Sequence, residues 1–238
     1  MKLDLLAIAP HPDDVELTCG GTMIKMADAG YRTGILDLTR GETGTRGTPE
    51  TRLQEAARAA KIMGTTVRRN LGLPDAQLRV SDEYKAAIAE VIRELAPRTV
   101  ILPYWEGRHP DHYTAARLGY EACFVAGLKN YPLAREAFRP FKILYAAAYS
   151  DARPTLAVDI SKEYERRRRA ILAYASQFRP VAKDRRSKVA LPLDQLEGRM
   201  NDTARYYGRM IGVKYAEGFI VKEVLQTDDI VRMSVRSM

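Results

Sequence analysis

The sequence predicts an α/β protein in which a mostly parallel sheet carries helices on both faces. Strand-like apolar runs alternate with helical segments in the order βαβαβαβα between Leu3 and Ala126, which is the pattern of crossover-connected parallel strands. The helical segments open and close on capping residues where the runs require them. The histidines fit the same scheme: all three lie directly after a strand-like run, His11 after the first and His109 and His112 after the fourth.

Taken in order, Leu3 to Ala9 is apolar and reads as the first strand. Gly20 to Ala29 has helical character and is stopped by Gly30, and Thr33 to Leu38 is the second strand. Thr48, Pro49 and Glu50 have the form of an N-cap, a first helical position and an acidic first turn, opening a helix through Ala60 that Gly64 ends. Thr66 to Leu71 is the third strand. Ser81 caps the next helix, with Asp82 and Glu83 favoured by its dipole and Pro97 just beyond its end. Thr99 to Tyr104 is the fourth strand, followed by a helix from about Tyr113 to Ala126. Phe141 to Tyr149 and Thr155 to Ile160 read as further strands, and Ser161 is expected to cap a helix running to about Phe178. A Pro- and charge-rich loop spans Arg179 to Pro192, a helix runs from Asp194 to Ile211, and a short strand lies near Gly218 to Val221. The 238 residues fit one domain large enough to bury its own core.

Composition excludes several classes. Cys19 and Cys123, the two cysteines, have no paired spacing, so neither a disulfide framework nor a Cys-rich zinc module is expected, and a reducing cytoplasm is the natural compartment. The first residues carry Asp4 inside a short apolar stretch and read as a strand rather than a signal peptide. No run approaches the ~20 apolar residues of a membrane helix. The net charge of +8 invites a nucleic-acid reading, but Arg166 to Arg169 fall on a helix, where successive residues turn by roughly 100° and form no single face. They are expected to be solvated. Lys183 to Lys188 forms a basic stretch in a loop, suited to a small anion or a subunit contact.

The chemistry is concentrated in His11-Pro12-Asp13-Asp14 and His109-Pro110-Asp111-His112. In the doubly wound strand order 3-2-1-4-5, strands one and four are neighbours and ligands bind at their carboxyl ends, so topology brings the two clusters together. Three imidazoles and three carboxylates, with Glu16 nearby, form the donor set of a mononuclear zinc hydrolase: two His and one carboxylate hold the ion, and the rest serve as base, oxyanion donor or orienting group. Spacing alone leaves open which residue has which role. A non-haem iron oxygenase uses a similar triad but usually on a β-rich barrel, a phosphoesterase wants two metals and more bridging carboxylates, and a carbohydrate-binding protein has no use for a spare base.

With Gly20-Gly21 after the first cluster and Arg108 before the second, these motifs resemble the LmbE-like/PIG-L de-N-acetylases, zinc enzymes on a Rossmann-like fold. Softer similarity, at Thr51-Arg52-Leu53-Gln54-Glu55-Ala56, Ile62-Met63-Gly64, Tyr174 to Phe178 and Gly212 to Phe219, is to the branch that deacetylates N-acetylglucosaminyl malate in bacillithiol biosynthesis. The resemblance implies that His11, Asp14 and His112 bind Zn2+, that Asp13 is the general base, and that His109, oriented by Asp111, stabilises the oxyanion. It implies that Arg52 faces the substrate, and Arg108 is its companion beside the second cluster. It further implies an N-acetyl amino sugar substrate and a homo-oligomer, a hexamer in that branch; the spread of basic residues and the lack of a long apolar run predict neither nucleic-acid nor membrane partners. Cys19 reads as a small packed residue, Tyr174 and Gln177 as packing or capping groups, and Gly41 to Gly47 as a rim of the pocket rather than a phosphate loop.

Overall fold

The computed structural model describes residues 1–148, 152–178 and 193–233. In chain order the elements are β1 (Leu5–Ala9), α1 (Asp14–Asp28), β2 (Thr33–Thr39), α2 (Pro49–Met63), β3 (Val67–Leu73), α3 (Asp82–Leu95), β4 (Thr99–Pro103), α4 (Pro110–Ala126), β5 (Lys142–Ala146), β6 (Leu156–Asp159), α5 (Tyr164–Leu172), α6 (Ala175–Phe178), α7 (Leu193–Ile211) and β7 (Ala216–Ile220). The strands form one sheet in the order β3-β2-β1-β4-β5-β7-β6. The first five are parallel, and β7 runs antiparallel to both β5 and β6. The predicted fold class is therefore observed, including the order of the first five strands.

The period-two alternation of strand side chains divides β1 between two cores. Leu6 and Ile8 pack with Tyr84, Ile88 and Leu118 from α3 and α4. Leu5, Ala7 and Ala9 point to the other face, toward Met23 of α1, Ala59 and Met63 of α2, and Ala170 of α5. Burial on both faces explains why β1 is apolar without interruption, and β2, equally buried, departs from this at Asp37 and its terminal threonines. The caps read from sequence form as expected: the hydroxyls of Thr48 and Ser81 accept from the amides of Thr51 and Tyr84 at 3.2 Å, and Gly64 closes α2 at φ 75°.

Several expectations are corrected. Helix α1 begins at Asp14, not Gly20, because its first turn is set off by non-helical backbone at Cys19 that interrupts the apolar period. Helix α4 begins at Pro110 rather than Tyr113, with His109 as N-cap and proline in the first turn, where its missing amide costs nothing. Ser161 does not cap a long helix: its hydroxyl donates to Asp159 at 2.6 Å, and the segment forms two short helices broken at Ala173 and Tyr174. The arginine run is not solvated throughout, since Arg167 is buried and Arg166 and Arg168 pair with Asp28 and Glu197. The short strand expected near Gly218 to Val221 is β7, which begins two residues earlier and lies inside the sheet between β5 and β6. The expected loop at Arg179 to Pro192, with its basic stretch, lies outside the described residues. Among the described residues no helix is long and apolar enough to cross a membrane.

Beneath α1, Arg68 of β3 grips the carboxylate of Asp37 through two bonds of 2.7 and 2.8 Å and reaches Glu16 at 2.6 Å. All three side chains are buried. Arg68→Ala would strand two carboxylates out of water, so a loss of ~3–5 kcal/mol is expected in chemical denaturation. A loss under ~1 kcal/mol would mean that water or a rearranged partner compensates the charges.

Candidate active site

Strands β1 and β4 are adjacent and parallel, so the loops after them open at the same edge of the sheet. The turn after β1 carries His11, Asp13 and Asp14; the loop after β4 runs to His109 at the N-cap of α4, with Asp111 and His112 in its first turn. The sheet thus unites the two clusters, as their placement after neighbouring strands predicts. Ligand atoms of His11, Asp14 and His112 all lie within 4.8 Å of one another, as do those of His11, His109 and Asp111.

His11 is the hub. Its Nδ1 lies 3.1 Å from Asp14 Oδ2, and its Nε2 lies 3.0 Å from Asp75 Oδ1 and 3.2 Å from Asp111 Oδ2. The other oxygen of Asp14 is 3.3 Å from His112 Nε2. Burial opposes charge on His11, but hydrogen bonds to Asp111, Asp14 and Asp75 outweigh it and lift the imidazole to about 12. Burial likewise opposes the Asp14 carboxylate, yet His112 and His11 hold it well below its ordinary range. Three carboxylates around one imidazole are an excess of negative charge that a divalent cation would balance. The mixed imidazole and carboxylate donors suit zinc or iron, and carboxylates on the far ring nitrogen of His11 would orient it as a ligand.

Asp75 was not among the expected site residues. It follows β3, in Leu73-Pro74-Asp75-Ala76, and in sequence it looks like an ordinary turn aspartate. Its signal was position: it too stands beyond the carboxyl end of a parallel strand. Asp111 also differs in detail from its expected pairing. Its carboxylate faces His11 and accepts from the Ala76 amide at 2.9 Å, whereas His109 meets its backbone, Nδ1 accepting the Asp111 amide at 3.2 Å. That bond places the hydrogen of a neutral His109 on Nε2. Burial, with the charges of His11 and His112, lowers the pKa of His109 and so favours this neutral form.

Asp13 sits at φ 108° and ψ −27°, a left-handed conformation that costs a non-glycine residue roughly 1–3 kcal/mol. The twist turns its carboxylate away from capping α1 and onto Arg52, whose Nη2 lies 3.0 Å from Oδ2. Burial pushes Asp13 up to about 7, against the pull of Arg52 and with the repulsion of Asp14. Arg52 is itself buried and also donates to the carbonyls of Gly41 and Pro12. Arg108 is exposed. Both arginines, with His11, Asp13, Asp14 and His109, line a cavity of about 1040 Å³. Thr43, Gly44 and Arg46 of the glycine-containing loop also line it, as a pocket rim should. Cys19 is buried with its thiol pushed up by desolvation, which fits a packed residue. Tyr174 is buried and donates to Glu16 at 3.0 Å, and Gln177 donates to the Arg46 carbonyl at 2.7 Å while bordering the cavity.

Comparison with known proteins agrees with this geometry. The chain is 34% identical over 227 residues to the diacetylchitobiose deacetylase of Thermococcus kodakarensis, covering 90% of this chain and 81% of that one. It is 28% identical over 208 residues to a probable N-acetyl-α-D-glucosaminyl L-malate deacetylase of Bacillus cereus, covering 79% and 90% of the two chains. The crystal structure of a conserved protein from Thermus thermophilus matches with a TM-score of 0.84 and 41% identity over 95% of this chain and 98% of that one. The profile of PIG-L, GlcNAc-PI de-N-acetylase, matches residues 6–123, a span that holds both histidine clusters. With the clusters joined at one sheet edge and these relatives extending along nearly the whole chain, the protein belongs to the PIG-L/LmbE-like family of deacetylases.

Proposed function

We propose that the protein is a zinc-dependent hydrolase that removes the N-acetyl group from an N-acetylglucosamine derivative, with N-acetylglucosaminyl malate as its substrate. The observation that carries this reading is the convergence of His11, Asp14 and His112 beside a further carboxylate, Asp13, that none of the three needs as a partner. In this reading those three residues hold the ion, Asp13 is the general base, and His109 stabilises the oxyanion. Zinc, when bound, supplies Lewis acidity toward an amide carbonyl and toward water.

The chain's own groups account for the proton traffic. Asp13, held by Arg52, takes a proton from the attacking water as the new C–O bond forms. It returns the proton to the nitrogen as the C–N bond breaks, leaving acetate and a free amine. His109 presents Nε2–H to the oxygen that gains charge. Because that charge exists only near the transition state, His109→Ala is expected to lower kcat about 10²-fold with KM little changed. Steady-state kinetics check this, and a defect confined to KM would make His109 a binding residue.

The malate assignment is supported by the basic rim and by the Bacillus cereus relative. Arg52 is engaged by Asp13, so Arg108 is the freer partner for an anionic aglycone. A charge-assisted contact contributes roughly 1.5–3 kcal/mol. Arg108→Ala should therefore cost about ten- to a hundredfold on the malate glycoside and far less on plain N-acetylglucosamine. Arg52→Ala should weaken both substrates alike, since it releases Asp13. A second reading, a neutral N-acetylated disaccharide, is supported by the Thermococcus relative. Amine release measured across N-acetylglucosamine, its malate and inositol glycosides and diacetylchitobiose decides between them: malate is expected to give the highest kcat/KM, and a preference for diacetylchitobiose would replace it.

A further inference from the structure

Helix α1 is broken at Cys19, whose φ of −145° and ψ of 17° are not helical. Thr18, just upstream, donates its hydroxyl to the Asp14 carbonyl at 2.7 Å, a bond that tends to bend helices. In an unbroken helix the amides of Gly20, Gly21 and Thr22 would donate to the carbonyls of Glu16, Leu17 and Thr18. Here Gly21 and Thr22 donate to the two carboxylate oxygens of Glu217 at 2.8 and 2.7 Å. The carbonyls of Glu16 and Leu17 accept from the guanidinium of Arg167. Arg167 Nε and Glu217 Oε1 are also paired at 3.1 Å, and the two residues are 4% and 3% exposed. The two glycines make the approach possible: a Cβ on Gly20 would lie 3.3 Å from Arg167 Cγ, and one on Gly21 2.8 Å from Ile160 Cδ1.

The turn ahead of the break follows Asp13 and begins with Asp14, and its Glu16 carboxylate is anchored by Arg68 and Tyr174. We propose that the Arg167–Glu217 pair is a positioning device for deacetylation: it splices α1 across the break and fixes the angle at which the first turn presents Asp13 and Asp14. The proposal rests on the reading of Asp14 as a metal ligand. The pair acts through the backbone of α1 and has no chemical role of its own.

Cobalt(II) added to metal-stripped protein tests it, because the visible d–d absorption of cobalt reports ligand arrangement. Arg167→Lys keeps the charge but loses the planar fork that reaches two carbonyls. Glu217→Gln keeps the shape but turns one acceptor into a donor facing a backbone amide. For both, the expected result is about tenfold weaker cobalt binding, an altered d–d spectrum, and lower kcat at unchanged KM, in protein with wild-type circular dichroism. Should Glu217→Gln fail to fold, Arg167→Lys carries the test. Wild-type cobalt affinity and spectrum in a folded variant that merely melts earlier would overturn the proposal. Asp14→Ala, measured alongside, separates the two readings. If it binds cobalt like wild type, the ligand assignment fails; if it loses cobalt while the pair variants bind normally, only the positioning role fails.

Discussion

Asp14→Ala protein is expected to retain no zinc after purification and to show no measurable deacetylation. Asp14 is the carboxylate that faces both His11 and His112, with one oxygen toward each. Its removal would take away a proposed ligand and also the anion that faces the two imidazoles. His112→Ala should behave in the same way. On the proposed assignment either variant leaves two of three protein ligands, too few for the geometry of a catalytic zinc site. Elemental analysis measures the metal and far-ultraviolet circular dichroism verifies the fold; folded Asp14→Ala protein holding one zinc per chain would remove Asp14 from the ligand set.

The Asp13→Ala variant should behave in the opposite way, keeping about one zinc per chain while losing about 10²- to 10⁴-fold in kcat, the range expected for a lost general base. Asp13 adjoins Asp14 in sequence, but its left-handed backbone sends its carboxylate to Arg52 instead of to the imidazoles. The substitution keeps a Cβ on the left-handed backbone and leaves the buried Arg52 guanidinium without its carboxylate, so stability should fall. Asp13→Asn, which preserves the shape and the Arg52 contact but not the basicity, should be nearly as inactive. Metal loss in Asp13→Ala, with metal retained in Asp14→Ala, would reverse the two roles.

What was legible in the sequence was what depends on local rules. Thr48-Pro49 and Ser81 announced their helices because caps are local chemistry, and the order of the first five strands followed from alternating runs. The meeting of His11 with His109 and His112 followed from that order. What was hidden depends on long-range pairing or on broken local rules. Helix α1 was read six residues short because its break at Cys19 is bridged by Arg167 and Glu217, which are 148 and 198 positions away and leave no local trace. The place of β7 between β5 and β6 leaves no local signal, because the chain returns to those strands only after forming α7. Asp75 resembled a turn residue until the sheet brought the end of β3 toward His11. The solvated reading of Arg166 to Arg169 ignored the side chain that enters the interior, because charge alone does not reveal that Glu217 waits there.

Metal-dependent N-deacetylation at this site is put to the test by following free amine from N-acetylglucosaminyl malate with one preparation in three states: as purified, stripped by a chelator, and reloaded with one equivalent of zinc. Activity is expected in the first state, its loss in the second and its return in the third, with Asp14→Ala inactive throughout. Amine release that persists at full rate in the stripped protein, or that zinc fails to restore to protein shown to be folded, would contradict it.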